Sequence, residues 1–238
     1  MKKWKKRMRK DKIMNIANNI LKHSLQNVYF LAGTPLAGKT TMAKILTEKH
    51  GFAYFSEDWY TDSFKLFQSL CTEKYQPYSS RKNETTDWEA HFGKTFDEFM
   101  KDDSGSKGND EYIEFAIIEL IKMSQKQKVI TDIVIPIPLV AEIADYSQIA
   151  CLMTKPELIT CENYGSRDSH KAFLDCLKSL KEPEKKIAVQ DELFRVRAEQ
   201  TYDEVKQHNL FSIVRTEEST IENTLLLLEK HFNLTGGE

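Results

Sequence analysis

The chain reads as an α/β domain built on a doubly wound parallel sheet, and three observations carry that expectation. Short apolar runs, clearest from Asn27 to Ala32, suit strands covered on both faces. Segments with helical spacing separate those runs. A glycine-bearing turn joins the first run to the first helix, at the rim where parallel strands open a ligand crevice at their carboxyl ends.

Taken in order, the 238 residues begin with a basic leader, Met1–Lys12, that holds eight Lys or Arg against one Asp. The remainder has 26 basic against 35 acidic residues, a balance of −9. The leader, grouped with an N-terminal helix as residues 1–26, reads either as an arm for nucleic acid or membrane or as a frayed, solvated terminus. The solvated reading is favoured. The acidic body argues against a nucleic-acid partner, because binding to a phosphate backbone needs clustered Lys and Arg. No 18-residue apolar stretch and no signal-peptide core occur, so a cytoplasmic protein without a membrane partner is expected. Cys71, Cys151, Cys161 and Cys176 are scattered without a CxxC pair and read as reduced thiols.

The sheet domain is expected over 27–238. Lys39 to His50 places Met42, Ala43, Ile45 and Leu46 on one helical face, and Gly51 is a natural stop. Phe52 to Phe55 is the second strand, ending at Ser56-Glu57-Asp58. Residues 59–108 turn polar and aromatic, with Gly and Ser near Asp102–Asn109, and read as an acceptor-binding insertion. Within it Trp59, Tyr60, Trp88, His91 and Phe92 either wall a pocket or form a small satellite core; packing is the favoured role for any one of them. Glu111 to Gln125 spaces Ile113, Ala116, Ile117, Leu120 and Ile121 as a helix. Lys128 to Ile135 reads as a central strand closed by Pro136 and Pro138, and Gln148 to Thr154 as the fourth strand. A mixed stretch leads into a charged helical region, Lys185 to Gln207, with 157–190 as a lid. Leu210 to Val214 is the last strand, and Ser219-Thr220-Ile221-Glu222 has the pattern of a capping box opening a final helix to about Phe232.

The chemistry concentrates in Gly33, Thr34, Pro35, Leu36, Ala37, Gly38, Lys39 and Thr40, with Thr41 following. This Gly-x-x-x-x-Gly-Lys-Thr pattern lies between a strand and a helix, where a triphosphate cradle must lie. Gly33 and Gly38 allow backbone N–H groups to turn inward around phosphates. Lys39 supplies a compact cation for the β- and γ-phosphates, Thr40 a hydroxyl ligand for Mg²⁺, and the helix its positive end. Asp132, after Val129-Ile130-Thr131, reads either as a second Mg²⁺-shell oxygen or as a polar strand end. Asp58, at the end of the second strand, is the candidate to position an acceptor hydroxyl, with Asp62 and Glu57 as alternates. Arg167 and Lys171, then Arg195 and Arg197, are candidate lid cations for the developing phosphoryl charge.

On these residues the chain resembles the nucleoside-monophosphate-kinase-like P-loop kinases, and among them the shikimate-kinase-like group. The likeness rests on GTPLAGKTT at Gly33–Thr41, the Phe55-Ser56-Glu57-Asp58 strand end, the insertion, the VITD strand and the closing strand–helix pair, spanning nearly all the chain from Asn27. It implies a five-stranded parallel sheet of order 2-3-1-4-5, ATP with Mg²⁺, an acceptor-binding insertion and a closing lid. It would place Asp58 near the acceptor hydroxyl, Lys39 and Thr40 at phosphate and metal, and a lid cation near Arg167 or Lys171. The Gly-Gly acceptor turn and Arg-rich lid of shikimate kinases are absent. The expected activity is transfer of the γ-phosphoryl of ATP to a hydroxyl or phosphate of a small metabolite, by a monomer or homodimer. The alternative is a nucleotide-binding regulatory protein with slow ATP hydrolysis. A GTPase lacks support, since no Asn-Lys-x-Asp motif occurs.

Overall fold

The computed structural model describes residues 16–56, 87–101, 104–167 and 170–234. A five-stranded, all-parallel sheet runs in the order β2-β3-β1-β4-β5. Its strands are β1 (Val28–Gly33), β2 (Ala53–Phe55), β3 (Val129–Thr131), β4 (Ile149–Met153) and β5 (Phe211–Val214). Register aligns the carboxyl ends: Phe30 of β1 faces Thr131 of β3, Gly33 faces Leu152 of β4, and Met153 faces Val214. Helices cover both faces, so the fold is α/β with the strand order expected from the sequence.

β1 is central, and alternation along it feeds both layers. Val28 and Phe30 enter one core with Ile113, Ala116 and Leu120 of α5 (Ser104–Ser124), Val140 and Ile143 of α6 (Ile137–Ile143) and Val205 of α9 (Pro183–Gln207). Leu25, just after α1 (Ile16–Ser24), joins that core. Tyr29 and Leu31 enter the opposite core with Met42, Ala43 and Leu46 of α2 (Lys39–His50) and Leu228 of α10 (Ile221–His231). All five residues of β4 are buried, as a strand covered on both faces requires. β5, at the edge, alternates half-buried and exposed positions.

Several boundaries differ from the sequence reading. β3 stops at Thr131 instead of running to Ile135, because the Thr131 hydroxyl donates to the Phe55 carbonyl at 2.8 Å and accepts the Ile133 N–H at 3.3 Å. A side chain there captures the amide that a longer ladder would use. Pro136 then starts helix α6 rather than closing a strand, and Pro138 occupies that helix's first turn, where its missing N–H costs nothing. α5 begins at Ser104, so the Gly- and Ser-bearing stretch assigned to the insertion belongs to a 21-residue helix. Thr220, not Ser219, caps α10: its hydroxyl accepts the Asn223 N–H at 3.1 Å, while Ser219 accepts the Thr216 N–H at 2.9 Å. The region 157–190 is largely helical, with α7 (Cys161–Gly165), α8 (Lys171–Ser179) and the start of α9. Between β2 and α5 stand α3 (Trp88–Phe92) and α4 (Phe96–Lys101). Among the described residues, no helix is long and apolar enough to cross a membrane.

Candidate functional site

The loop from Gly33 to Gly38 turns back on itself through three positive φ angles, 111° at Gly33, 64° at Leu36 and 87° at Gly38. Only glycine fits the first position. A Cβ on Gly33 would stand 2.0 Å from the Leu152 carbonyl oxygen. Thr34 fastens the loop to the end of β4: its N–H donates to the Leu152 carbonyl at 3.1 Å, and its hydroxyl accepts the Thr154 N–H at 2.6 Å. The Thr34 side chain is fully buried and acts as a fastener for the loop. Gly38 has no side chain to cap α2, so that helix opens with uncapped amide donors beside the loop.

Lys39, the first residue of α2, reaches back over the loop and donates to the Thr34 carbonyl at 2.7 Å and the Gly33 carbonyl at 3.2 Å. The next residue reaches the other way. Thr40 Oγ1 donates to Asp132 Oδ2 at 2.6 Å, and Tyr54 Oη donates to Asp132 Oδ1 at 2.8 Å. Asp132 is 8 % exposed, one residue beyond β3, and each of its oxygens is held by a hydroxyl from a different element. A carboxylate so oriented is fixed as an acceptor directed at the mouth of the loop. Thr40 and Asp132 together offer hard oxygen donors of the kind Mg²⁺ takes, one or two protein ligands with the rest of the shell left to water and phosphate. Among the described residues no group of three His, Cys, Asp or Glu side chains forms a separate metal cluster.

On the β4–β5 side of the loop a cleft of about 970 Å³ opens between Leu36, Thr154, Lys155, Asn163, Arg167 and Arg215, bordered by Glu217 and Ser219. A smaller hollow of about 140 Å³ lies between Ala37, Thr41, Met42, Ile213 and Thr224; Arg215 and Ser219 line both. Arg167, one of the candidate lid cations, lines this cleft. Lys171 does not line the cleft; its ammonium pairs with Asp175 at 2.8 Å on an exposed helix face. Arg195 pairs with Glu199 at 2.8 Å. Asp58, Glu57 and Asp62, with Trp59, Tyr60 and Cys71, lie outside the described residues.

Two residues enter the site that the sequence reading did not single out. Tyr54 reads in the sequence only as part of the second strand, yet its phenol end meets Asp132. Arg215, the first residue after β5, donates from its guanidinium to the Leu36 carbonyl at 3.2 Å. Its signal was available: a lone cation at the carboxyl end of the last strand, on the rim that carries the loop. Trp88, His91 and Phe92 pack on one another, with Trp88 stacked on Phe92 at 5.7 Å and His91 edge-on to Phe92 at 4.8 Å. Phe92 is buried in a satellite core with Cys161, Leu174 and Leu177, whereas Trp88 is 45 % exposed. Burial pushes the Cys151 thiol up to about 12 and raises those of Cys161 and Cys176 as well, so these described cysteines are neutral thiols. No protein-family model and no curated protein matches this chain.

Proposed function

We propose that the chain is a P-loop phosphotransferase that binds ATP with Mg²⁺ and transfers the γ-phosphoryl group to a hydroxyl or phosphate of a small metabolite. One observation carries the reading: Thr40, in the first turn of the helix after the loop, bonds Asp132, just beyond β3, at 2.6 Å. Two hard oxygens from distant parts of the chain meet beside a lysine and a curled main chain. The resemblance to nucleoside-monophosphate-kinase-like enzymes supports the same conclusion, as does the strand order.

In this reading the loop amides and the Lys39 ammonium hold the terminal phosphates and offset the charge that develops on them. Thr40 and Asp132 would hold Mg²⁺, which when bound neutralises phosphate charge and orients the oxygens. The nucleoside would lie over β4 and β5, in the cleft bounded by Thr154, Arg167 and Arg215, whose volume suits a ligand of that size. Asp58 would position the acceptor hydroxyl. Arg167 would act as the cap cation, its guanidinium suited to phosphate oxygens. The test is a calorimetric titration with Mg·ATP followed by a metabolite screen for acceptors that stimulate ADP release. A folded protein with no affinity for any nucleoside triphosphate in the presence of magnesium ends the proposal. Binding with slow hydrolysis and no responsive acceptor would favour a regulatory nucleotide-binding protein.

A further inference from the structure

The sequence separates an insertion before α5 from a lid after β4, but the fold joins their described parts. α3 and α4 share one apolar core with α7, α8 and α9: Phe92 is buried with Cys161, Leu174 and Leu177, and Phe99, Phe173, Ile187 and Phe194 pack against them. The Phe92 and Phe173 rings meet edge-on at 6.0 Å.

Across this core runs an ion pair between a buried lysine and a partly exposed glutamate. Lys186 of α9 is 7 % exposed, and its ammonium donates to Glu89 Oε1 of α3 at 2.6 Å and to the Lys181 carbonyl. The Lys181 N–H donates to the other Glu89 oxygen at 3.1 Å. Lysine is rarely buried unless paired, because an ammonium taken out of water needs its charge and its donors satisfied. Here the partner comes from the other segment. The Lys186 bond holds the Glu89 carboxyl below its ordinary range, the direction expected of a carboxylate kept charged in place.

One of these helices, α7, forms a wall of the large cleft together with the residues on either side of it. Glu157, Asn163, Ser166 and Arg167 line it. Cys161, which starts α7, is tied to α9 by its N–H, donated to Asp191 Oδ1 at 2.6 Å, and sits in the shared core beside Phe92. A ligand that draws in Asn163 and Arg167 thus pulls on a helix that cannot shift without its neighbours α3 and α9.

We propose that residues 87–101, α7, α8 and the first half of α9 form a single cap, latched by Glu89 and Lys186, so that a nucleoside triphosphate in the cleft orders residues 87–101 as well as the cleft wall. This inference rests on the triphosphate reading of the site. Its consequence is reciprocal: an acceptor that orders the insertion tightens nucleotide binding by the same factor, since coupling between two sites is symmetric.

Hydrogen–deuterium exchange on the full chain, with and without the non-hydrolysable analogue Mg·AMP-PNP, tests it. The expected result is exchange slowed about tenfold both in 161–179 and in 88–101. Lys186→Met keeps an apolar stem in the core and leaves Glu89, which is partly exposed, to water. It should retain the protection at 161–179 and lose that at 88–101, with calorimetric affinity for AMP-PNP changed less than threefold. Glu89→Gln provides the same comparison if the methionine variant does not fold. Slowing confined to 161–179 in the wild type, or full protection of 88–101 in a folded latch variant, overturns the cap. Absence of calorimetric binding would instead remove the triphosphate reading on which it stands.

Discussion

Gly33→Ala and Gly38→Ala each replace one α-hydrogen of the same loop with a methyl group but should have unequal consequences. At Gly33 a Cβ would meet the Leu152 oxygen at 2.0 Å, with that residue's carbonyl carbon and nitrogen at 2.8 and 2.9 Å. Reaching ordinary contact at 3.4 Å requires about 1.4 Å of separation between β1 and β4, which breaks the 3.1 Å bond from Thr34 N–H to Leu152. Losing that buried bond costs about 1 kcal/mol, backbone displacement in a packed centre about 1–3, and alanine at φ 111° about 1–2. The total is about 3–6 kcal/mol. At Gly38 a Cβ would meet nothing within 4 Å, so only the φ of 87° counts, about 1 kcal/mol. With a urea slope of about 3 kcal/mol/M, the midpoint should fall by about 1–2 M for Gly33→Ala and about 0.3 M for Gly38→Ala. Circular dichroism through a urea titration measures both. In the Gly38 variant the loss should appear as weakened Mg·ATP binding on an intact fold. Equal midpoints for the two variants would refute the assignment of Gly33 to strand packing and Gly38 to the ligand.

The remaining predictions concern single contacts. Lys39→Ala should abolish phosphoryl transfer and weaken Mg·ATP binding about 10–100-fold, since bonds to a charged group are worth about 1.5–3 kcal/mol, with far-ultraviolet dichroism unchanged. Calorimetry and a coupled ADP assay measure the two effects. Tyr54→Phe strips one of the two hydroxyls holding Asp132, so the Mg²⁺ concentration giving half-maximal ADP formation should rise about tenfold, while magnesium-free ATP affinity stays constant. The His231 ring nitrogen Nε2 donates to the Ile149 and Tyr146 carbonyls at 2.8 and 3.1 Å, and burial holds its pKa below the ordinary 6.5. The unfolded chain binds the proton more readily, so this contribution to stability is whole above 6.5 and is lost as pH falls from 6.5 toward the lowered value. Urea midpoints measured from pH 7 to pH 5 should drop less steeply in His231→Gln than in the wild type. His170, shifted down by burial in the same way, should leave a residual slope.

What was legible in the sequence was whatever leaves a local, repetitive trace. β1 and β4 are unbroken apolar runs because both their faces are covered, and the strand order followed from the resemblance that the Gly33–Thr41 motif carries. Ends of elements left weaker traces. Thr131 reads as one more β-branched strand residue, and only its hydroxyl's capture of the Ile133 N–H stops β3 where it does. The glycine and serine around Asp102–Asn109 have poor helix propensity, yet the long apolar face of α5, with Ile113, Ala116 and Leu120 in the core, carries the helix back through them. Tertiary packing overrides local preference there.

The candidate site divides along the same line. Gly33, Gly38, Lys39 and Thr40 are contiguous, so their spacing announces them. Tyr54, Asp132, Arg167 and Arg215 come from four separate segments, and the parallel register of the sheet brings Tyr54 of β2 and the segments after β3, β4 and β5 to one rim. Asp132 was reachable because a carboxylate after an apolar run is a recognisable pattern; a tyrosine within a strand is not, since its ring satisfies the core whether or not its hydroxyl does anything. The Glu89–Lys186 pair is more distant still, 97 residues apart on two segments that read as independent. Charged side chains in amphipathic helices default to solvent in any sequence reading, and the burial of this lysine is a property of the joined cap rather than of either helix. The motif thus announces the loop of the proposed phosphate site, whereas the response of the rest of the molecule to a ligand there would depend on contacts that exist only after folding.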